Sequence, residues 1–436
     1  MQMQSKPAWV IARTALGLTI AFGVFAGPAM AEEQRSYLER TVKISAQIRA
    51  RWEATDGSNF AATTADSWLL TRTRLGVDYK PKSWLNFFGQ IQDSRVMFYH
   101  TRPSGSIADP FEFRQGYVEM GTLEGPGVKA KVGRQELFIG STRLIVTGDW
   151  GNVTRSFDVF RGTVTTKAFG LDLIGGSPVL ADPNRMDRHK PGDHFYVAYS
   201  SFKKLLPGAS VEPYLMARTL AGAKSKDGAI GTADTLYIGG RVIGKTKGHF
   251  DYTVEGVREA GSYVSDDIRA WGYAAGGGWT VTPAVWKLHF SSDYLFATGD
   301  NGRKDGGHQQ FDYMYGNNQP LISVTGLFAW RNISAWRAGA DFSPLKKLNI
   351  KVDYHNYWLA TVSDGLYNAS GTRTVMNAAA ASRHVGEGVD TFFIVPVNGK
   401  TTVGAGIGTL APGSYLVESH KTSGYVYPFL YFTRQL

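Results

Sequence analysis

Polar and apolar residues alternate along most of this chain with a period of two. From Thr41 to Glu53 one parity reads Val42, Ile44, Ala46, Ile48, Ala50 and Trp52, and the other Lys43, Ser45, Gln47, Arg49, Arg51 and Glu53. Side chains of a strand point alternately to opposite faces, so this segment is a strand with one apolar and one charged face. At 13 residues it far exceeds the usual strand of about 5–6 residues. Similar segments are predicted near 67–79, 84–97, 112–121, 128–138, 156–166, 168–177, 193–201, 209–220, 234–243, 249–261, 267–279, 285–297, 331–342, 347–359, 387–396, 401–409 and 424–434. With the first, that makes about 18.

The joints between them fall into two alternating kinds. Lys80-Pro81-Lys82-Ser83, Leu123-Glu124-Gly125-Pro126, Thr280-Val281-Thr282-Pro283 and Ser343-Pro344-Leu345-Lys346 are tight turns, whereas 54–66, 98–111, 139–155, 178–192, 221–233, 298–330, 360–386 and 410–423 are long. Short turns alternating with long loops are the asymmetry of bacterial outer-membrane barrels, with the turns periplasmic and the loops extracellular. The expected fold is an all-β transmembrane antiparallel barrel of about 18 strands. Trp52, Trp68, Tyr79, Trp84, Trp279, Trp286, Trp336, Trp358, Tyr427 and Tyr431 stand near strand ends, where amphipathic rings suit the membrane interface.

The barrel reading assigns the two faces. An outward Arg near the bilayer midplane costs about 2–4 kcal/mol, so the polar parity must face a water-filled lumen. Arg49 and Arg51 belong to it. So do Arg72 and Arg74, which oppose Leu75 and Val77, and Arg337, which opposes Trp336 and Ala338. Arg218, Arg241 and Lys351 follow the same rule, with Glu119, Asp158, Glu212, Glu255, Asp341 and Asp353 as acidic companions. Inward arginines select anions, because low-dielectric walls focus their field. One stretch resists the rule. Arg134 and Glu136 share the parity of Val128, Ala130 and Val132. Either Gly133 marks a bulge that turns them inward, or the strand has already left the hydrocarbon there. Arg161 is similarly ambiguous.

The ends and the composition fit this picture. Lys6 and Arg13, an apolar run from Ala15 to Ala26, and Ala29-Met30-Ala31 have the form of a secretory signal cleaved after Ala31, which leaves residues 32–436 as one barrel domain. There is no cysteine, and beyond the leader 45 Lys and Arg stand against 37 Asp and Glu. An exported basic barrel argues against nucleic acid as a partner, and points to outer-membrane lipid and lipopolysaccharide around it. The nine histidines show no catalytic spacing to a serine or carboxylate, so no enzyme is expected. Asp300, Asp305 and Asp312 gather in one loop and have the oxygen chemistry of a Ca²⁺ site. Solvated loop acids are the simpler reading, and no metal or other cofactor is predicted.

Four groups of residues resemble the alginate export family. They are Gly133-Arg134-Gln135-Glu136-Leu137 with Arg143-Leu144-Ile145, Asp149-Trp150 and Arg155-Ser156-Phe157-Asp158; Thr298-Gly299-Asp300 with Phe311-Asp312-Tyr313-Met314-Tyr315-Gly316; Asp353-Tyr354-His355-Asn356-Tyr357-Trp358-Leu359-Ala360 with Asp364 and Leu366-Tyr367; and Val385-Gly386-Glu387-Gly388-Val389-Asp390 with Pro412-Gly413-Ser414-Tyr415. The family pattern usually has proline where Gly316 stands. The resemblance implies a monomeric 18-stranded outer-membrane barrel that passes anionic polysaccharide, together with periplasmic export components. It also implies an electropositive constriction, onto which Arg74, Arg134, Glu136, Arg155, Asp158, Arg161 and Arg337 map. Guanidinium matches carboxylate in charge and shape, so such a path would hand a polyuronate along passively. The alternative is a general porin for small carboxylates or phosphates. Loops 298–330 and 360–386 are long enough to fold into the pore and gate it.

Overall fold

A computed structural model describes residues 37–61, 65–100, 105–282, 286–316, 319 and 322–436. The expected signal segment and its cleavage point lie outside the described residues. Eighteen long strands run in chain order: β1 (Val42–Thr55), β2 (Asp66–Lys82), β3 (Leu85–Met97), β4 (Asp109–Gly121), β5 (Gly127–Gln135), β6 (Phe157–Thr165), β7 (Phe169–Leu180), β8 (Asp193–Leu206), β9 (Ala209–Lys224), β10 (Ile230–Lys245), β11 (Phe250–Tyr263), β12 (Trp271–Thr282), β13 (Leu288–Ala297), β14 (Ile333–Leu345), β15 (Leu348–Leu359), β16 (His384–Asn398), β17 (Thr401–Pro412) and β18 (Tyr425–Gln435). Each pairs antiparallel with the next. β18 returns to β1, from Gln47 opposite Gln435 to Glu53 opposite Phe429. The sheet is therefore a closed antiparallel barrel of 18 strands with no free edge, which satisfies every ladder hydrogen bond without water.

Burial runs opposite to that of a soluble protein. On β1, Ile44 is 66% exposed while Arg49 and Arg51 are buried. Leu75, Val132, Phe160, Leu173, Leu215, Ile238, Val254, Phe290, Phe393 and Leu430 are likewise exposed on the outer face. Such a continuous apolar belt is stable against acyl chains and not against water. Trp84, Trp279 and Trp286 are exposed at the short-turn end, at the level of an aromatic girdle. Tyr427 departs from that expectation. It is buried, with Tyr425 and Phe429 on the same parity of β18. That aromatic row faces inward, and Phe429 and Tyr431 both meet the ring of Trp150 edge-on.

The ambiguity at Gly133 is resolved by register. Gly133 lies opposite Val159 and Arg134 opposite Asp158, with no shift along either ladder of β5. Arg134 therefore keeps the outward parity of Val132, and Asp158 that of Phe160. Two adjacent positions toward the long-loop end continue the outward polar band. Ser177 bonds His194 at 2.8 Å, and Thr219 donates to Asp234 at 2.7 Å. The strands have left the apolar belt at this level. Arg134 and Asp158 form a bidentate pair at 2.8 and 3.0 Å on the outer rim, not on the lumen wall.

The lumen holds the core that a soluble domain would place between its layers. Described residues of four long loops turn inward: β5–β6 (136–156), β13–β14 (298–316, 319 and 322–332), β15–β16 (360–383) and β17–β18 (413–424). Phe157, Phe195 and Tyr315 pack edge to face, Phe311 rests on Trp330, and Phe328 on Tyr357. Loops 298–330 and 360–386, long enough to fold into the pore, thus place buried side chains inside it, and so does the β5–β6 loop.

Candidate functional site: a loop held across an arginine-walled lumen

The β5–β6 loop crosses the barrel. On one side it is gripped by arginines of β1, β2 and β4. Arg49 donates to the carbonyls of Asp149 at 2.7 Å and Gly151 at 2.6 Å. Arg51 donates to the carbonyl of Trp150 and lies 4.5 Å above its ring. Arg72, 1% exposed, reaches the Asp149 carboxylate at 2.9 Å and the Gly151 carbonyl at 3.3 Å. Arg74 bonds the Thr154 hydroxyl at 2.9 Å. Arg114 donates to the carbonyls of Thr154 at 2.6 Å and Arg155 at 2.7 Å, and to Glu136 at 3.2 Å. Asn152 locks the loop from its own side, donating to the carbonyls of Thr71, Arg95 and Ile107. On the far side, Ser141 and Arg143 reach Glu255 of β11, the arginine at 3.4 Å.

Arg49, Arg51, Arg72 and Arg74 therefore face inward and make most of their hydrogen bonds to the loop, while Arg72 also donates to Gln47 and Arg74 to Gln92 on the wall. Guanidiniums can be buried here because each meets carbonyls or a carboxylate. Glu136 comes after the end of β5 and turns to Arg114 and Arg74. Arg161, on the lumen parity, is held by Asp172 at 2.9 Å through both nitrogens. Arg114 was missed by sequence reasoning. Its signal was present in the alternation Phe111, Glu112, Phe113, Arg114.

A second clasp joins the β5–β6 loop to the β13–β14 loop. Ile145 and Tyr315 form a parallel bridge, with the Tyr315 amide on the Leu144 carbonyl at 2.8 Å and the Val146 amide on the Tyr315 carbonyl at 3.2 Å. A Cβ at Gly316 would lie 1.9 Å from the Arg143 carbonyl oxygen, so the glycine found here in place of proline fits this approach. Arg155 bonds the carbonyls of Val146 and Tyr315. Asp312 is the centre of the β13–β14 loop. It accepts from Arg218 at 2.7 Å and Arg331 at 3.0 Å, and Arg218 also holds Asp193 of β8 at 2.9 Å. The three loop acids considered for calcium do not converge. Asp300 pairs with Lys226 at 2.8 Å and Asp312 with the two arginines.

These clasps leave cavities above and below the crossing loop. The outer one, about 380 Å³, is lined by Arg155, Lys190, Arg218 and Arg331 against Asp193, Glu259 and Asp312. The inner one, about 390 Å³, is lined by Arg143, Arg337 and Lys351 against Asp293 and Asp353. In each, basic side chains outnumber acidic ones by one. Arg337 donates to Asp293 at 2.8 Å and also to Asp353.

The loop carboxylates are held in the ionised form. Burial opposes the charge of Asp149, but Arg72, Arg74 and Arg49 outweigh it and keep the carboxyl below its ordinary value. Burial likewise opposes Asp312, and Arg218 with Arg331 prevails. A lowered folded-state value means that the clasp energy is fully present above the ordinary carboxylate pKa of about 3.9. It is lost as pH falls through the folded-state values. Channel noise recorded in planar bilayers is therefore expected to be constant from neutral pH down to about 5 and to rise only below about 4. A rise centred near neutrality would contradict this.

The alginate export family model matches residues 40–426. No curated protein sequence matches the chain. Crystal structures from Pseudomonas aeruginosa share the fold: OccK8 (OprE), with 12% identity, a TM-score of 0.61 and coverage of 91% of this chain and 98% of that one; OccK1 (OpdK), 11%, 0.60, 91% and 98%; and OccK5 (OpdH), 11%, 0.58, 91% and 98%. A closed porin-like barrel of outer-membrane type, matched by one family model over nearly its whole length, places the chain in the alginate export family.

Proposed function

We propose that this barrel passes anionic polysaccharide of the polyuronate kind across the outer membrane by passive, stepwise diffusion. The observation that carries the reading is the pair of cation-rich cavities stacked on either side of the crossing loop. A polyuronate bears about one carboxylate per sugar, and conduction needs several modest sites so that no single site traps the chain. The acidic partners serve that end. Asp293 and Asp353 share the Arg337 guanidinium, which dilutes its hold on a passing carboxylate.

Replacing Arg337 and Lys351 together by Gln is expected to shift the reversal potential in a KCl gradient from anion toward cation preference, because Asp293 and Asp353 are then left unbalanced. Polymannuronate oligomers should block the wild-type current and block the double variant at least about tenfold more weakly, roughly 1.4 kcal/mol of lost attraction. Unchanged selectivity and block would refute the reading.

Small carboxylates are the second reading, favoured by the division of the lumen into cavities of about 330–540 Å³. OpdK, one of the proteins of similar fold, has been crystallised with vanillate. Block by monomeric carboxylates but not by oligomers would favour this reading.

A further inference from the structure

Three carboxylates meet at the long-loop end of the barrel, apart from the stacked cavities. Asp109 opens β4, Glu112 follows it, and Asp187 descends from the β7–β8 loop (181–192). One oxygen from each lies within 4.8 Å of the others. Asp109 is 2% exposed and Glu112 3%. The Asp109 Oδ2 is sealed from solvent and has no hydrogen-bond partner. A buried carboxylate oxygen without a donor is strongly unfavourable, and here two further carboxylates adjoin it.

Arg114 and Arg134 stand nearby but hydrogen-bond none of these three carboxylates. Arg114 turns its two terminal nitrogens to the Thr154 and Arg155 carbonyls and to Glu136, and its Nε has no hydrogen-bond partner. Arg134 touches Asp187 only at its backbone carbonyl, at 3.3 Å, and is otherwise committed to Asp158 and the Phe113 carbonyl. Gln92 donates to Glu112 and fixes its carboxylate. The amide of Asp182 donates to Asp187 Oδ1 at 3.0 Å, leaving its other oxygen available.

We propose that Asp109, Glu112 and Asp187 bind a calcium-class divalent cation that staples the β7–β8 loop to the barrel mouth. The donor set is all oxygen, which selects a hard cation. Ca²⁺–oxygen bonds of about 2.3–2.6 Å put two ligands no more than about 5 Å apart, so the present spread suits Ca²⁺ as it stands. Mg²⁺, with bonds of about 2.0–2.1 Å and a strict octahedron, would require the carboxylates to close in. The site does not depend on which solute the barrel passes.

Barrel refolded in detergent without lipopolysaccharide, whose phosphates would compete, should be titrated with CaCl₂ by calorimetry. Saturable binding at one site is expected, with a Kd of about 0.1–1 mM, as in extracellular calcium modules. Asp187→Asn, on a loop outside the strand ladder, should weaken it at least about tenfold, and Asp305→Asn should leave it unchanged. Ca²⁺ should also slow tryptic cleavage after the exposed Arg185 and Arg188 in the wild type and not in Asp187→Asn. Absence of saturable heat, or equal affinity and protection in Asp187→Asn and Glu112→Gln, would overturn the proposal.

Discussion

Replacing residues 140–152 by a short Gly-Ser linker is expected to raise single-channel conductance severalfold. The segment spans the lumen from the Arg49–Arg72 grip to Glu255, so its removal merges the cavities above and below it. The barrel itself should survive. Its 18 strands are hydrogen-bonded all the way round, and none of those bonds belongs to the deleted segment. The cost lies in the exposed guanidiniums of Arg49, Arg51, Arg72 and Arg74. With Asp149 gone they repel one another, but water enters with the deletion, and at high dielectric two charges 4 Å apart repel by only about 1 kcal/mol. Heat-modifiable migration in gels would confirm folding. A folded variant with wild-type conductance would show that the crossing loop is not the constriction.

The second large effect is expected at Asp312. Asp312→Ala leaves Arg331 without a carboxylate and Arg218 with Asp193 alone. Removing one partner of a buried charge network costs about 3–5 kcal/mol. Here the cost falls on the closed arrangement of the β13–β14 loop and not on the strands. The population of released loop should therefore rise roughly a hundred- to a few-thousand-fold, seen in bilayers as frequent large openings. Asp312→Glu, which keeps the charge, should restore much of the quiet baseline. Openings as rare as in the wild type would show that this carboxylate does not hold the loop.

Both predictions concern parts of the molecule that the sequence showed unevenly. The strands were legible because lipid enforces alternation: Ile44, Ile48 and Trp52 outward, Arg49 and Arg51 inward. Their ends were less so, since that constraint stops where hydrocarbon stops. β8 continues through the exposed Lys203 and Lys204 to Leu206, past the expected end at 201. Beyond the belt, parity also stops naming a face as lumen: the alternation puts Asp158 on the lumen face and leaves Arg134 open, whereas the register sets both on the outer rim. The purpose of the inward arginines was hidden for a different reason. Alternation shows that Arg49 faces the lumen, but its partners are main-chain carbonyls 100 and 102 residues away, and a carbonyl leaves no mark in a sequence. The same holds for the Ile145–Tyr315 bridge. The motifs shared with the family were better guides than they first looked. Asp149-Trp150, Arg155 and Phe311 to Gly316 all fall at the clasps.

The grip on Asp149, Trp150 and Gly151 is made chiefly through carbonyl oxygens, which every amino acid carries. Side chains at the tip of the crossing loop can therefore be exchanged without loosening most of its anchorage. The wall arginines can stay fixed while the residues at the tip change. The loop is in that sense a replaceable cartridge, seated by its backbone.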